Sequence, residues 1–479
     1  MTHPIPTPRS AVPWGAVSGV VGALIFVEIT SGILQGYYTP LLTDIARALG
    51  VADADVTWLE AVQLAVSALT VPLLAAAGDR VGHKRVLVIS SAITAVASWG
   101  LLFTGNVPLF FISWALQGLY AVWLPAEIAL IHSRARALGA PGPVTRRAAG
   151  LLIGALELGV IVGAIGAGAI ASATGSLSAT MVVPAVATTA CFFVILFFVK
   201  EAPGGRAESS SKDIAGIGLL ALSLASIMSG LSVLRALGPG TWQPWAFVAL
   251  GLLLVVLFVR VELRAKDPML DLRVLSNRRQ WPVQMTAFLF GMSVLGAQAP
   301  LATFGRTDPA VHGYGLGLSV SQSSYVIGAY VLSLAVGALF LPLLTRRLPL
   351  RDALIIGAAI TGVGYLLFLF SHGSLSAVLS NMIIAGLGSG VLLASLPAAA
   401  AAAAPPERTG MATGATNAVK TLGGAIASAV FGLVLAHGGV LAGGAAPLAG
   451  YLTVWAICGC AAILAALLLA AVPRHSLQD

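Results

Sequence analysis

Residues 78–85 read GDRVGHKR, a cluster of charge between apolar runs near 58–77 and 86–104. Each run is about 20 residues long, and a helix of that length crosses about 30 Å of hydrocarbon. Gly82 allows the tight turn that brings two such helices back antiparallel. The bases of the turn hold it on one side of a bilayer. Residues 58–104 therefore read as a membrane hairpin, and the rest of the chain repeats the pattern.

Of 479 residues, 58% are hydrophobic and 9% charged, and the mean hydropathy is +0.95. A soluble domain carries about 25% charged residues, so this chain cannot cover a water-facing surface. Spans are expected near 14–38, 58–77, 86–104, 109–131, 148–171 and 180–199, then 214–234 and 244–262. A second six follow near 283–304, 323–344, 353–371, 377–398, 410–436 and 448–472. The expectation is an all-α membrane protein of about 14 spans. The opening MTHPIPTPRSAVPWG lacks the charged n-region and cleavage site of a secretory signal and is expected to stay on the mature protein.

Lysine and arginine set the orientation. With the N-terminus inside, the cytoplasmic segments hold Arg9, Arg80, Lys84, Arg85, Arg134, Arg136, Arg146, Arg147, Lys200, Arg206 and Lys212. They also hold Arg260, Arg264, Lys266, Arg273, Arg278, Arg279, Arg346, Arg347, Arg351, Arg408 and Arg474. That is 22 bases against three outside (Arg47, Arg235, Arg306), with Lys420 inside a span. Both termini are thus expected in the cytoplasm, and the net charge of +8 reflects topology, not a nucleic-acid surface. Cys191, Cys458 and Cys460 all fall within spans, so no disulfide is expected. The CGC at 458–460 lacks His or acidic neighbours and reads as packing, so no metal is expected. Nor is there a P-loop or another cofactor-binding pattern, so the chain is not read as an enzyme.

Six spans, a two-span insert and six more spans suggest two bundles of related build, as in many secondary transporters. The expected units are an N-terminal six-helix bundle at 1–199, a linker with the two-helix insert at 200–265, and a C-terminal six-helix bundle at 266–479. KEAPGGRAESSSKD at 200–213 reads as a flexible linker, and DPMLDLRVL at 267–275 as a short element along the membrane surface. The glycines of GVIVGAIGAGAIASATG at 159–175 permit close helix approach. That serves either static packing or sliding between states.

Several motifs carry a resemblance to a known family. GDRVGHKR (78–85) resembles the signature loop of the major facilitator superfamily, LQGLYAVWLPAEIALI (116–131) its fourth-helix motif, and GVIVGAIGAG (159–168) its fifth-helix antiporter motif. DPMLDLRVLSNRR (267–279) and PPERTGMATGATNAVKTLGGA (405–425) resemble the fourteen-helix drug:proton antiporter branch. The resemblance implies a major facilitator fold of two six-helix bundles plus two extra helices, working by alternating access. It also implies that Asp79, Arg80, Gly82, Lys84 and Arg85 form a conformational latch favouring the outward-open state. Three departures stand out. His83 replaces an Arg, Trp114 replaces the intramembrane Arg thought to couple substrate and proton, and Ala164 replaces a Pro.

Glu28, in LIFVEITSGIL at 24–34, is a carboxylate near the middle of an apolar run. An ionised acid there costs about 2.5–3.5 kcal/mol on insertion scales, so it faces the interior, meets a cation or takes up a proton. Glu28, Glu157 and Glu127 are the proton-coupling candidates, and Glu127 is also placed to pair with His132 or Arg134. A structural role for Glu28, bonded to Thr30, Gln35 or a neighbour's backbone, is the alternative. Lys420 is expected to make an interior polar contact, with Asn417 on the same face. Gln35, Tyr38, Gln117, Trp114, Trp123, Gln298 and Asn417 are candidate substrate contacts, and Tyr37, Gln284 and Asn381 are further interior polar groups. The expected activity is proton-coupled export of hydrophobic or cationic small molecules by a monomer in a bacterial cytoplasmic membrane. The expected partners are substrate, protons and membrane lipid, without nucleic acid. Two alternatives stay open: a dedicated lipid or metabolite exporter, and a transporter-derived sensor that moves nothing.

Overall fold

A computed structural model describes residues 15–137, 141–201, 213–265, 268, 270–405 and 409–471. Among these residues every regular element is helical. The first six rods are α1 (Gly15–Tyr37), α3 (Val56–Val81), α4 (His83–Gly100), the broken rod α5 (Val107–Gln117) and α6 (Trp123–Ala137), α7 (Pro141–Thr174) and α8 (Leu177–Phe198). A short α2 (Leu42–Leu49) joins the first two. The insert is a hairpin of α9 (Ile214–Leu237) and α10 (Gln243–Glu262). After a helical turn, α11 (Leu272–Leu275), comes the broken rod of α12 (Trp281–Phe290) and α13 (Gln298–Arg306). A second single turn, α14 (Pro309–His312), precedes α15 (Val320–Thr345), α16 (Leu350–Leu367), α17 (Leu375–Ala402), α18 (Thr409–Ala436) and α19 (Leu448–Ala471).

Local chemistry marks the ends. Asn106, Ser176 and Ser374 accept the amides of Leu109, Ala179 and Ala377, satisfying orphan donors at three helix starts. Ser319 and Gln322 form a reciprocal capping box at α15. Gly82 closes the turn at 78–85 with φ 101°, a conformation that favours glycine.

Thirteen helices among the described residues are long and apolar enough to cross a membrane. The expected span at 86–104 corresponds to α4, which falls short because it starts on His83, Lys84 and Arg85 and carries Ser90, Ser91, Thr94 and Ser98. Ser90, Thr94 and Ser98 each donate to a carbonyl four residues back, which satisfies them inside the helix.

Glycine permits the tightest packing within the first six rods. A side chain at Gly159 would collide with the carbonyl of Ile29, and one at Gly32 with that of Leu156, so α1 and α7 touch backbone to backbone. Gly168, further along α7, packs instead on Ser324 of α15, in the second set of rods. The small-residue stretch at 159–175 thus does two jobs: Gly159 and Gly163 pack α1 within one half, and Gly168 meets the other half.

The two halves meet along two seams, α3 on α18 and α7 on α15. One end of the molecule is closed by contacts between halves. The guanidinium of Arg306 donates to Asp44 at 2.9 Å, the amide of Asp53 donates to Gly444 O at 2.9 Å, and Ser172 bonds Ser321. In the insert, α9 packs on both α3 and α18, bringing Leu224 together with Ala65 and Ala425. The other insert helix, α10, rests on α9 and exposes Trp242, Trp245, Leu252 and Leu253.

Candidate functional site

Two groups of polar side chains stand out in the apolar interior. The first lies within the first half. Glu28 of α1 and Glu127 of α6 are both 0% exposed, and their carboxyls lie against each other, with Cys191 of α8 and Thr30 alongside. Neither carboxyl has a hydrogen-bond partner outside the pair among the described residues. The alternative in which Thr30, Gln35 or a backbone amide holds Glu28 does not occur: Thr30 Oγ1 donates to Phe26 O instead. Two carboxyls in contact in a low dielectric cannot both carry charge, so such a pair holds at least one proton.

The expectation for the surroundings of Glu127 is corrected. It points into the bundle toward α1, away from the helix end, because α6 turns that face to α1. His132 instead meets Thr145 at 3.4 Å, and Arg134 donates to Lys200 O at 2.5 Å.

The second group lines a cavity of about 70 Å³ at the seam between halves. From the first half come Gln35 and Tyr38 of α1, Glu60 and Gln63 of α3, Trp114 of α5 and Tyr120. From the second come Leu295 and Gln298. A space of that size holds a few waters. A larger groove of about 500 Å³ lies at the end of α10, lined by Leu257, Arg260, Val261, Arg264 and Ala265. It is lined by residues of the insert alone and lacks acids and aromatic rings, so the smaller cavity is the better candidate.

Of the candidate substrate contacts, Gln35, Tyr38, Trp114 and Gln298 line the seam cavity. Gln117 stands behind them, its amide donating to Tyr38 Oη and Ser98 Oγ, both at 2.9 Å. Trp123 and Asn417 do not line it. Trp123 is buried in the first-half core, where its indole N–H donates to Ser90 Oγ at 3.2 Å. The carbonyl of Asn417 accepts from Thr421 Oγ1 on its own helix. Tyr37 donates to Thr180 O, Gln284 to Thr416 Oγ1 and Asn381 to Ser371 O, so these three tie elements together within their own halves.

Trp114 occupies the position where an arginine was expected. Its ring packs on Tyr38 (centroids 5.1 Å apart) and Phe110 (5.9 Å). Its indole N–H has no partner among the described residues. Glu157 of α7 and Lys420 of α18 lie within electrostatic reach of each other across the halves, and Lys420 is otherwise held by its backbone against Gly291.

Glu60 escapes a reading of the sequence because it sits at the edge of an expected span. The signal that finds it is the face Thr57, Glu60, Leu64, Ser67, polar or seam-facing at helical spacing. It is 7% exposed, and its Oε2 accepts the amide of Ala299 at 3.3 Å. That amide is free because the α12–α13 rod is broken: a π-turn at Gly291–Leu295 ends α12, and α13 begins afresh at Gln298 with first-turn donors that lack partners within the helix.

In the turn at 78–85, the side chain of Asp79 lies outside the described residues. Lys84 ties the turn to the end of α8, its amide donating to Glu201 Oε2 at 3.1 Å and its Nζ to Leu196 O at 3.0 Å. Among the described residues no group of His, Cys, Asp and Glu could hold a metal ion.

The model for the Major Facilitator Superfamily matches residues 24–308 and 285–478. The tetracenomycin C resistance and export protein of Streptomyces glaucescens is 24% identical over 450 residues, covering 90% of this chain and 78% of its own. The multidrug transporter protein MdtP of Bacillus subtilis is 23% identical over 432 residues, covering 88% and 74%. Among solved structures, a peptide transporter POT in complex with sulfate superposes with a TM-score of 0.67 at 16% identity, covering 98% of this chain and 99% of its own. The nucleoside transporter NupG superposes with a TM-score of 0.65 at 12% identity, covering 95% and 98%. At these identities the structural likeness concerns the fold alone.

Proposed function

Since the chain belongs to the Major Facilitator Superfamily, we propose that it is a proton-coupled exporter of hydrophobic or cationic small molecules, working by alternating access. In this reading it has fourteen spans, with α4 as the polar third, and both termini lie in the cytoplasm. The charge bias of the loops supports that orientation. The closed end, with Asp44, Asp53 and Arg306, then faces outward. The membrane is the cytoplasmic membrane of a bacterium, and the two bundles span 1–199 and 266–479 around the insert at 200–265.

One observation carries the coupling: Glu28 and Glu127, fully buried and partnered only by each other. The pair offers a proton site where the usual helix-four arginine is absent. Each proton moving inward through 100 mV releases about 2.3 kcal/mol. Glu157 and Lys420, within electrostatic reach of each other across the halves, supply a second charge-sensitive link between them. The turn at Asp79, Arg80, Gly82, Lys84 and Arg85 serves as the inner latch.

A second reading, export of one self-made metabolite, is favoured by the small aromatic-walled cavity and by Trp114. Relatives named for tetracenomycin C export and as a probable actinorhodin transporter accord with it.

The test is growth inhibition by a broad panel of toxic compounds in an efflux-deficient bacterial host. It compares empty vector, the wild-type protein and Glu28→Gln at matched expression. Protection by the wild type and its loss in Glu28→Gln is the expected result. Protection that survives the substitution overturns the coupling role of Glu28. No protection at all moves the reading to the dedicated carrier.

A further inference from the structure

Glu60 is a buried carboxylate with an incomplete partner. It is 7% exposed, and no basic side chain stands among the described residues lining its cavity. What it meets is the amide of Ala299 at 3.3 Å, at the start of α13. A helix N-terminus presents about half a positive charge, less than a carboxylate can use. The contact also joins the halves, since Glu60 belongs to α3 and Ala299 to α13. Trp114 and Tyr120 line the same cavity, and aromatic rings attract cations. At about 70 Å³ the cavity is too small for an organic molecule until this contact opens.

We propose that Glu60 is the counter-ion of an organic cation bound in the seam cavity, and that this ligand competes with α13 for the carboxylate. The cation replaces a partial charge with a full one. In doing so it frees the N-terminus of α13, the helix that ends in Arg306 and its bond to Asp44 at the closed end. Ligand entry and opening of that end are thereby one exchange at one carboxylate. The proposal deepens the exporter reading by naming what the seam cavity takes, and it depends on that reading only for the ligand's being cargo.

The probe is tetraphenylphosphonium, with its binding to the purified full-length protein measured at equilibrium. A spin-label pair at Ala48→Cys and Val311→Cys, both exposed and on opposite halves, reports the closed end in a Cys460→Ser background. In the wild type the probe binds and lengthens the label distance. In Glu60→Gln the side chain still accepts the Ala299 amide, so the ligand-free distance stays as in the wild type while affinity falls at least tenfold. Glu60→Asp keeps measurable binding, which separates loss of charge from loss of fold. Unchanged affinity in Glu60→Gln, or no binding by the wild type, overturns the proposal. Failure of proton coupling alone leaves this pattern intact and shows instead as a wild type that moves no protons.

Discussion

Arg306 reaches across the seam to Asp44, its guanidinium 2.9 Å from the carboxylate, while also donating to Leu318 O at 3.0 Å. The Arg306 side chain is 10% exposed and that of Asp44 27%, so the pair is partly shielded from water. Asp44→Asn keeps the volume and removes the charge. A charge-assisted bond of this kind contributes about 1.5 kcal/mol, a tenfold change in an equilibrium. The expected result is about a tenfold larger population of the form open at this end. Thiol labelling of a cysteine placed at Gln298 reads it, and unchanged labelling would show that Asp44 closes nothing.

The glycines of α7 separate into two kinds by experiment. Gly159→Val drives a side chain into the backbone of α1, which cannot yield without parting two helices of one half. The expected outcome is a melting temperature lower by several degrees and poor expression. Gly168→Ala meets the Ser324 side chain of the other half. Its melting temperature is expected near that of the wild type, with the closed end shifted toward open in the same labelling assay.

Glu28 and Glu127 act as one unit if they share one proton. Either Glu→Gln substitution then removes substrate-driven proton movement across everted vesicles at least tenfold, and the double variant is no worse. Additive losses in the double variant would mean two separate sites.

Asp53 lies in the turn between α2 and α3, outside the spanning segments, and burial pushes its carboxyl up to about 6 against the pull of Arg47 and Arg306. A raised acid favours the protonated folded form, so the cost of burying the charge is absent below about pH 4. It grows as pH rises toward 6 and is complete above it. Asp53→Asn is therefore expected to raise the melting temperature at pH 7.5, with the gain shrinking steadily from pH 6 to pH 4. A gain that is constant across that range would sink the assignment.

Most of the fold is legible because apolar length is a one-dimensional signal. Several expected boundaries lie within a few residues of the helices, at 180–199 against Leu177–Phe198 and at 244–262 against Gln243–Glu262, while α7 starts at Pro141, well ahead of the expected 148, and α6 runs on to Ala137, past the expected 131. What sequence could not give is direction around each rod. Trp123 and Asn417 share the composition of a pocket residue, yet one faces the core bonded to Ser90 and the other stands apart from the cavity. Glu127 reads as a helix-end acid until α1 is seen against its face. Glu60 depends on a break in the other half of the chain, the π-turn at Gly291–Leu295, which no local pattern in α3 announces.

The insert hairpin gives the two seams unequal neighbours. By packing on both α3 and α18, α9 roofs the join between them on its bilayer side. The join between α7 and α15 carries no such roof among the described residues. The two seams are thus covered differently, one by a helix of the insert and one not. The α7–α15 join is held instead by its own polar contacts, Ser321 donating to Gly168 O at 3.2 Å and bonding Ser172.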